Sequence, residues 1–70
     1  MATTLLTRRD LAALMRVSTR TLDRLRADGD APDPLAGRGR PRWDGADVDA
    51  WIRAGRPRAD AWRRLRRRRP

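Results

Sequence analysis

The sequence predicts a small, mainly helical domain carrying one short β-hairpin. Three observations predict it. Apolar residues recur at i, i+3 and i+4 in separate stretches, each preceded by a Ser, Thr or Asp suited to an N-cap. A stretch rich in Gly and Pro, residues 29–42, interrupts this helical pattern. The chain has 70 residues, and 11 of its 27 apolar residues are Ala, so 16 larger side chains must build the core. That is enough for one small domain and too little for a two-layer enzyme with a deep pocket.

Residues 1–4 show no periodicity and read as a flexible N-terminus, with the folded domain expected over 5–55. Thr7 caps the first helix, and Asp10 three residues on is a short form of the capping-box acid. Leu11, Leu14 and Met15 form its apolar stripe, and Leu6 before the cap is placed to pack against it. Ser18 caps a second helix. Val17 before it and Leu22 four residues after it have the spacing of a hydrophobic staple. Leu22 and Leu25 make its buried stripe, and Gly29 its stop. The linker is only Arg16-Val17-Ser18, so the two helices meet at a sharp angle, as in a helix-turn-helix.

In the Gly/Pro-rich stretch, Pro34–Ala36 and Arg40–Trp43 flank Gly37-Arg38-Gly39, a hairpin with a glycine tip. Pro41 cannot donate to a ladder and must face away from the partner strand. Asp44 caps a third helix, with Asp47 and Asp49 in its first turns, and Val48, Trp51 and Ile52 make its stripe. Gly55 and Pro57 end it. Residues 56–70 form a basic tail. A fourth helix is possible there, with Trp62 and Leu65 as its larger apolar pair, but six Arg in the last eight residues favour an extended chain until counter-charge arrives.

The chain has no His, Cys, Tyr, Lys or Glu and a single Ser. Most general acids, bases and covalent nucleophiles are therefore missing, and binding rather than catalysis is expected. Capping explains Asp44, Asp47 and Asp49, and Asp28, Asp30 and Asp33 lack the spacing of a cation loop, so neither metal nor cofactor is expected. Nothing reads as a membrane span or signal peptide, which points to a cytoplasmic, nucleoid-associated protein. The net charge of +9 points to nucleic acid before any other partner.

Leu5-Leu6-Thr7 with Asp10-Leu11-Ala12, Val17-Ser18 with Thr21-Leu22 and Arg24-Leu25, Gly29 with Pro32, a basic hairpin, then Arg42-Trp43 and Asp47-Val48 with Trp51 follow one another in a set order. The ordered set, spanning residues 5–54, resembles the excisionase and small MerR-type winged helix-turn-helix domains. The resemblance implies that the second helix enters the major groove of duplex DNA while the hairpin is a wing reaching a minor groove. Two positions depart from the family pattern. Asp23 stands where an aromatic or aliphatic residue is usual, and Pro41 interrupts the second wing strand. The resemblance further implies one of two roles: an excisionase that binds and bends attachment-site DNA to direct an integrase, or a small MerR-like transcription regulator. Typical MerR regulators continue into a dimerising helix and an effector domain. A chain of 70 residues favours the excisionase, without a small-molecule effector and with tandem copies on DNA as a further partner. The alternative of another class is an interaction protein whose Arg-rich tail binds an acidic partner.

On this reading Ser18, Thr19, Arg20, Asp23 and Arg24 present the recognition helix to DNA, with Ser18 doubling as the cap. Arg20 and Arg24 lie one turn apart, where a guanidinium can hold a phosphate or grip guanine O6 and N7; the bland reading is a solvated face on which Asp23 neutralises Arg20. Arg38, Arg40 and Arg42 belong to the wing, since a narrow minor groove attracts Arg. Arg63, Arg64, Arg66, Arg67, Arg68 and Arg69 are expected to lie along phosphates without reading sequence. Trp43 and Trp51 are expected in the core, with Trp62 left open.

Overall fold

A computed structural model describes residues 4–37 and 39–67, with the side chain of Arg67 outside the description. Its elements are β1 (Leu5–Leu6), α1 (Arg8–Met15), α2 (Thr19–Asp28), β2 (Trp43–Asp44), α3 (Gly45–Arg53) and α4 (Ala59–Arg67). The protein is thus mainly helical with a two-stranded antiparallel sheet, in which Leu5 pairs with Asp44 and Leu6 with Trp43.

The helix starts follow local chemistry. Thr7 and Asp10 form a reciprocal capping box on α1, with the Asp10 N–H donating to Thr7 Oγ1 at 3.1 Å and the Thr7 N–H donating to Asp10 Oδ2 at 2.9 Å. Ser18 Oγ accepts the Thr21 N–H at 3.1 Å, and Asp44 Oδ1 accepts the Ala46 N–H at 2.9 Å. Helix α2 stops at Gly29, which adopts φ 80°, and the Asp30 N–H closes the end on the Leu25 carbonyl at 2.8 Å.

The core contains Leu11, Met15, Leu22, Val48 and all three tryptophans, with Ala12 and Ala31 filling between them. Leu14 was expected there and is instead 51% exposed. The buried face of α1 is Leu11, Ala12 and Met15, one residue round from the predicted stripe. Trp43 Nε1 donates to the Pro32 carbonyl at 2.9 Å and Trp51 Nε1 to the Pro57 carbonyl at 2.8 Å. Trp62 Nε1 is buried without an acceptor among the described residues. Trp43→Phe would strand the Pro32 carbonyl, whereas Trp62→Phe removes a donor that has no acceptor. An orphaned buried polar group costs about 1–3 kcal/mol. We therefore expect Trp43→Phe to lose about 1–3 kcal/mol more than Trp62→Phe in urea unfolding. Equal losses would mean that indole volume alone decides.

Two expectations need correction, and one left open is decided. Leu5 and Leu6 pair as a strand, and the order extends to Thr4 of the expected flexible N-terminus, whose carbonyl accepts the Gly45 N–H at 2.7 Å. A Cβ at Gly45 would sit 2.9 Å from that carbonyl oxygen, so glycine is what lets the N-terminal segment close over the start of α3.

The predicted hairpin is not a ladder. Between its two arms there is one backbone hydrogen bond, from the Leu35 N–H to the Arg42 carbonyl at 2.7 Å, and β2 pairs with β1 instead. Pro34 and Pro41 each remove an N–H from a pairing that had few to offer, while Leu5–Leu6 keeps both donors.

The fourth helix left possible in the tail is present over residues 59–67, rather than an extended chain. Helix α4 docks through Ala59 and Trp62, the latter only 4% exposed, while Leu65 stays 47% exposed. Like charges do not fray it because aspartates elsewhere in the chain oppose them. Arg58 pairs with Asp30 at 3.0 Å, Arg63 makes a two-pronged pair with Asp33, and Arg66 reaches Asp47 at 3.4 Å.

The ion pairs give the fold a definite response to acid. The Arg63 guanidinium holds the Asp33 carboxyl below its ordinary value, Arg8 does the same for Asp23, and the hydrogen bonds of the capping box do so for Asp10. A carboxyl depressed by folding favours the folded chain while ionised, so its contribution holds above its unfolded value of about 3.9 and fades as pH falls through its folded value. The chain has no His or Cys, the side chains whose ordinary values lie nearest neutrality. Thermal melts should therefore show a plateau from about pH 5 to 10 and a fall in Tm below about pH 4. A steady decline between pH 7 and 5 would contradict the assignment.

Candidate nucleic-acid interface

The turn between α1 and α2 is made by Arg16 and Val17. Arg16 adopts the left-handed conformation at φ 59°, its N–H donating to the Ala13 carbonyl at 3.1 Å, and the Val17 N–H reaches the Ala12 carbonyl at 3.0 Å. Glycine suits this position best, and a side chain there costs about 1–2 kcal/mol. The chain thus holds an exposed arginine in a strained turn at the mouth of the two-helix unit.

Helix α2 exposes Arg20, Asp23 and Arg24, with Ser18 exposed at the cap and Thr19 half-buried beside it. Asp23 does not neutralise Arg20. It is held by Arg8 of α1 through two parallel bonds, Nε to Oδ1 and Nη2 to Oδ2, each 2.7 Å. This fork ties the outer face of α2 to the start of α1. It also leaves Arg20 and Arg24 without a carboxylate partner among the described residues.

The loop that replaces the hairpin lies against the same end of α1. A cleft of ≈ 500 Å³ is lined by Thr7, Arg8 and Arg9 on one side and by Arg40, Pro41 and Arg42 on the other. Arg42 donates to the Pro41 carbonyl at 3.2 Å, and Arg40 has no side-chain acceptor among the described residues. Arg38 lies outside the described residues. Arg26, from the last turn of α2, sits 5.2 Å from the Trp43 ring centre beneath this loop.

The arginines therefore divide into two sets. Arg58, Arg63 and Arg66 serve the fold through Asp30, Asp33 and Asp47, which takes Arg63 and Arg66 out of the purely phosphate-binding role expected of them. Arg64 is 3.9 Å from Asp60 and exposed. The side chain of Arg67 and residues Arg68 and Arg69 lie outside the described residues. The second set, Arg9, Arg16, Arg20, Arg24, Arg26, Arg40, Arg42 and Arg56, has no carboxylate within 4.0 Å among the described residues, with Arg26 and Arg56 lying over the Trp43 and Trp51 rings. Sequence reasoning missed Arg9, next to the capping-box Asp10, and Arg16, the left-handed residue that ends α1. The aspartates once weighed as cation ligands are used otherwise: Asp30 and Asp33 pair with arginines, and Asp44 caps α3.

No helix among the described residues is long and apolar enough to cross a membrane. Comparison with protein families, with curated proteins and with solved structures gave no match.

Proposed function

We propose that the chain is a winged helix-turn-helix protein that binds duplex DNA sequence-specifically, with α2 in the major groove and the loop over 35–42 as a short wing. The observation that carries this reading is the segregation of charge. Apart from Arg26 and Arg56, which lie over tryptophan rings, the arginines without carboxylate partners among the described residues gather on the turn, the outer face of α2, the start of α1 and the loop, while Arg58, Arg63 and Arg66 pair with aspartates of the body. The Arg8–Asp23 fork and the cleft make these segments neighbours.

Within this reading the role we propose is that of an excisionase, which bends attachment-site DNA and directs an integrase; it rests on the ordered resemblance of residues 5–54. A MerR-like regulator would share the DNA contacts, and a measured bend in a selected site lying beside an integrase gene separates the two roles.

The test of DNA binding itself is fluorescence anisotropy on duplexes across a salt series. Binding in the micromolar range is expected, with log K falling against log salt by about 0.9 for each phosphate neutralised. With four to six contacts the slope is roughly −4 to −5. Absence of duplex binding at low salt would overturn the proposal.

A further inference from the structure

The cleft between the start of α1 and the loop has more positive charge than the fold uses. Arg8 is matched by Asp23 at 2.7 Å. Arg9, Arg40 and Arg42 have no carboxylate within 4.0 Å among the described residues; Asp10, engaged by the Thr7 N–H, feels the charges of Arg9 and Arg42 from outside the cleft lining. Three guanidiniums without a paired carboxylate thus stand on the walls of a cleft of ≈ 500 Å³. These side chains come from segments far apart in sequence, and their mutual repulsion opposes the approach that the fold imposes. Four of its six lining residues are arginines, whose guanidiniums suit an anion. An anion with several acceptor oxygens relieves the repulsion and fits guanidinium forks.

We propose that this cleft is a binding site for one phosphate group, held by Arg9 and Arg40 with Arg42 beside them. The inference rests on the DNA reading for its natural ligand: a backbone phosphate flanking the groove that α2 enters. Arg9 is then a clamp that fixes the register of α2 on the duplex, since phosphate contacts position a protein while base contacts specify. The same chemistry would accept a free phosphate monoester, and the experiment separates the two sources.

The test uses the full chain with Arg9→Gln and Arg40→Gln. Both residues are exposed and lack carboxylate partners among the described residues, so both variants should keep the wild-type melting curve. Duplexes carrying one neutral methylphosphonate at successive positions are titrated by anisotropy. At one position the wild type should bind about tenfold more weakly, as loss of a charged hydrogen bond implies. Arg9→Gln should be insensitive to the change at that position alone, and its salt slope should be shallower by about 0.9. Methylphosphonate effects that are the same in wild type and both variants at every position would overturn the site.

A second arm follows the arginine side-chain Nε resonances during titration with inorganic phosphate. If the wild type binds no duplex but phosphate moves the Arg9 and Arg40 signals, the cleft is a phosphate site and the DNA reading alone falls. If duplex binding is normal and neither arm involves Arg9 or Arg40, the cleft proposal alone falls.

Discussion

Truncation after Gly55 abolishes cooperative folding. The deletion takes away Trp62 and Ala59, which are buried against the body. It removes the Pro57 carbonyl that accepts from the fully buried Trp51, and the Arg58 guanidinium that donates to the Asp28 carbonyl at 3.0 Å. It also breaks the bond from the Ala59 N–H to the Gly29 carbonyl at 2.9 Å. Loss of a buried Trp side chain alone costs about 3–5 kcal/mol. Domains have about 0.05–0.15 kcal/mol of stability per residue, so a chain of this size has little beyond that loss to give. The partly exposed ion pairs of α4 add only modestly. The expected result is a loss of helical circular dichroism and of the cooperative melt, and Trp62→Ala in the full chain should approach the same outcome. A truncated chain that melts cooperatively near the wild-type temperature would return α4 to the status of an appendage. Truncation is therefore a poor probe of DNA contacts by the tail, because a weakened salt slope would be confounded with unfolding.

The same helix shows where sequence reasoning stops. Caps are local, so Thr7 with Asp10, Ser18, Asp44 and the Gly29 stop could be read from neighbours three or four residues away. The stripe of Val48 and Trp51 was equally plain. By contrast, the counter-charges that quiet α4 come from Asp30, Asp33 and Asp47, and no window along the chain brings them next to Arg58, Arg63 and Arg66. A run of arginines viewed alone implies repulsion; the opposing charge is a tertiary fact. Strand β1 escaped notice for a related reason. Two leucines are too short for an alternating pattern, and their partner lies beyond two helices and a loop. The candidate site divides in the same way. The α2 face was legible from helical spacing, whereas Arg9 joined the surface only when the loop folded against the start of α1. The partner of Asp23 was hidden in the same way: sequence offered Arg20 as the bland alternative, whereas Arg8 is the residue close in space.

Replacing both Arg20 and Arg24 by Ala should abolish specific DNA binding while leaving the fold intact. Both side chains are exposed and neither has a carboxylate partner among the described residues, so stability should change by no more than about 0.5 kcal/mol. A bidentate arginine–guanine contact is worth about 1–3 kcal/mol of discrimination. Two such losses give roughly 2–6 kcal/mol on the selected site, short of strict additivity because the residues are one turn apart. Competition between the selected site and random duplex decides what the arginines do. A loss confined to the selected site assigns them to base edges, and an equal loss on both makes them phosphate clamps. No loss on either, with duplex binding retained, would place the interface elsewhere on the molecule. Asp23→Ala supplies the opposite sign. It deletes a negative charge from the same face and releases the Arg8 fork, so random duplex should bind more tightly. If Asp23 accepts from a cytosine amino group while Arg8 holds it in place, the gain on random DNA comes with lost preference at one base pair. Tighter binding everywhere with site preference unchanged would make Asp23 a strut between α1 and α2 and leave base reading to the two arginines.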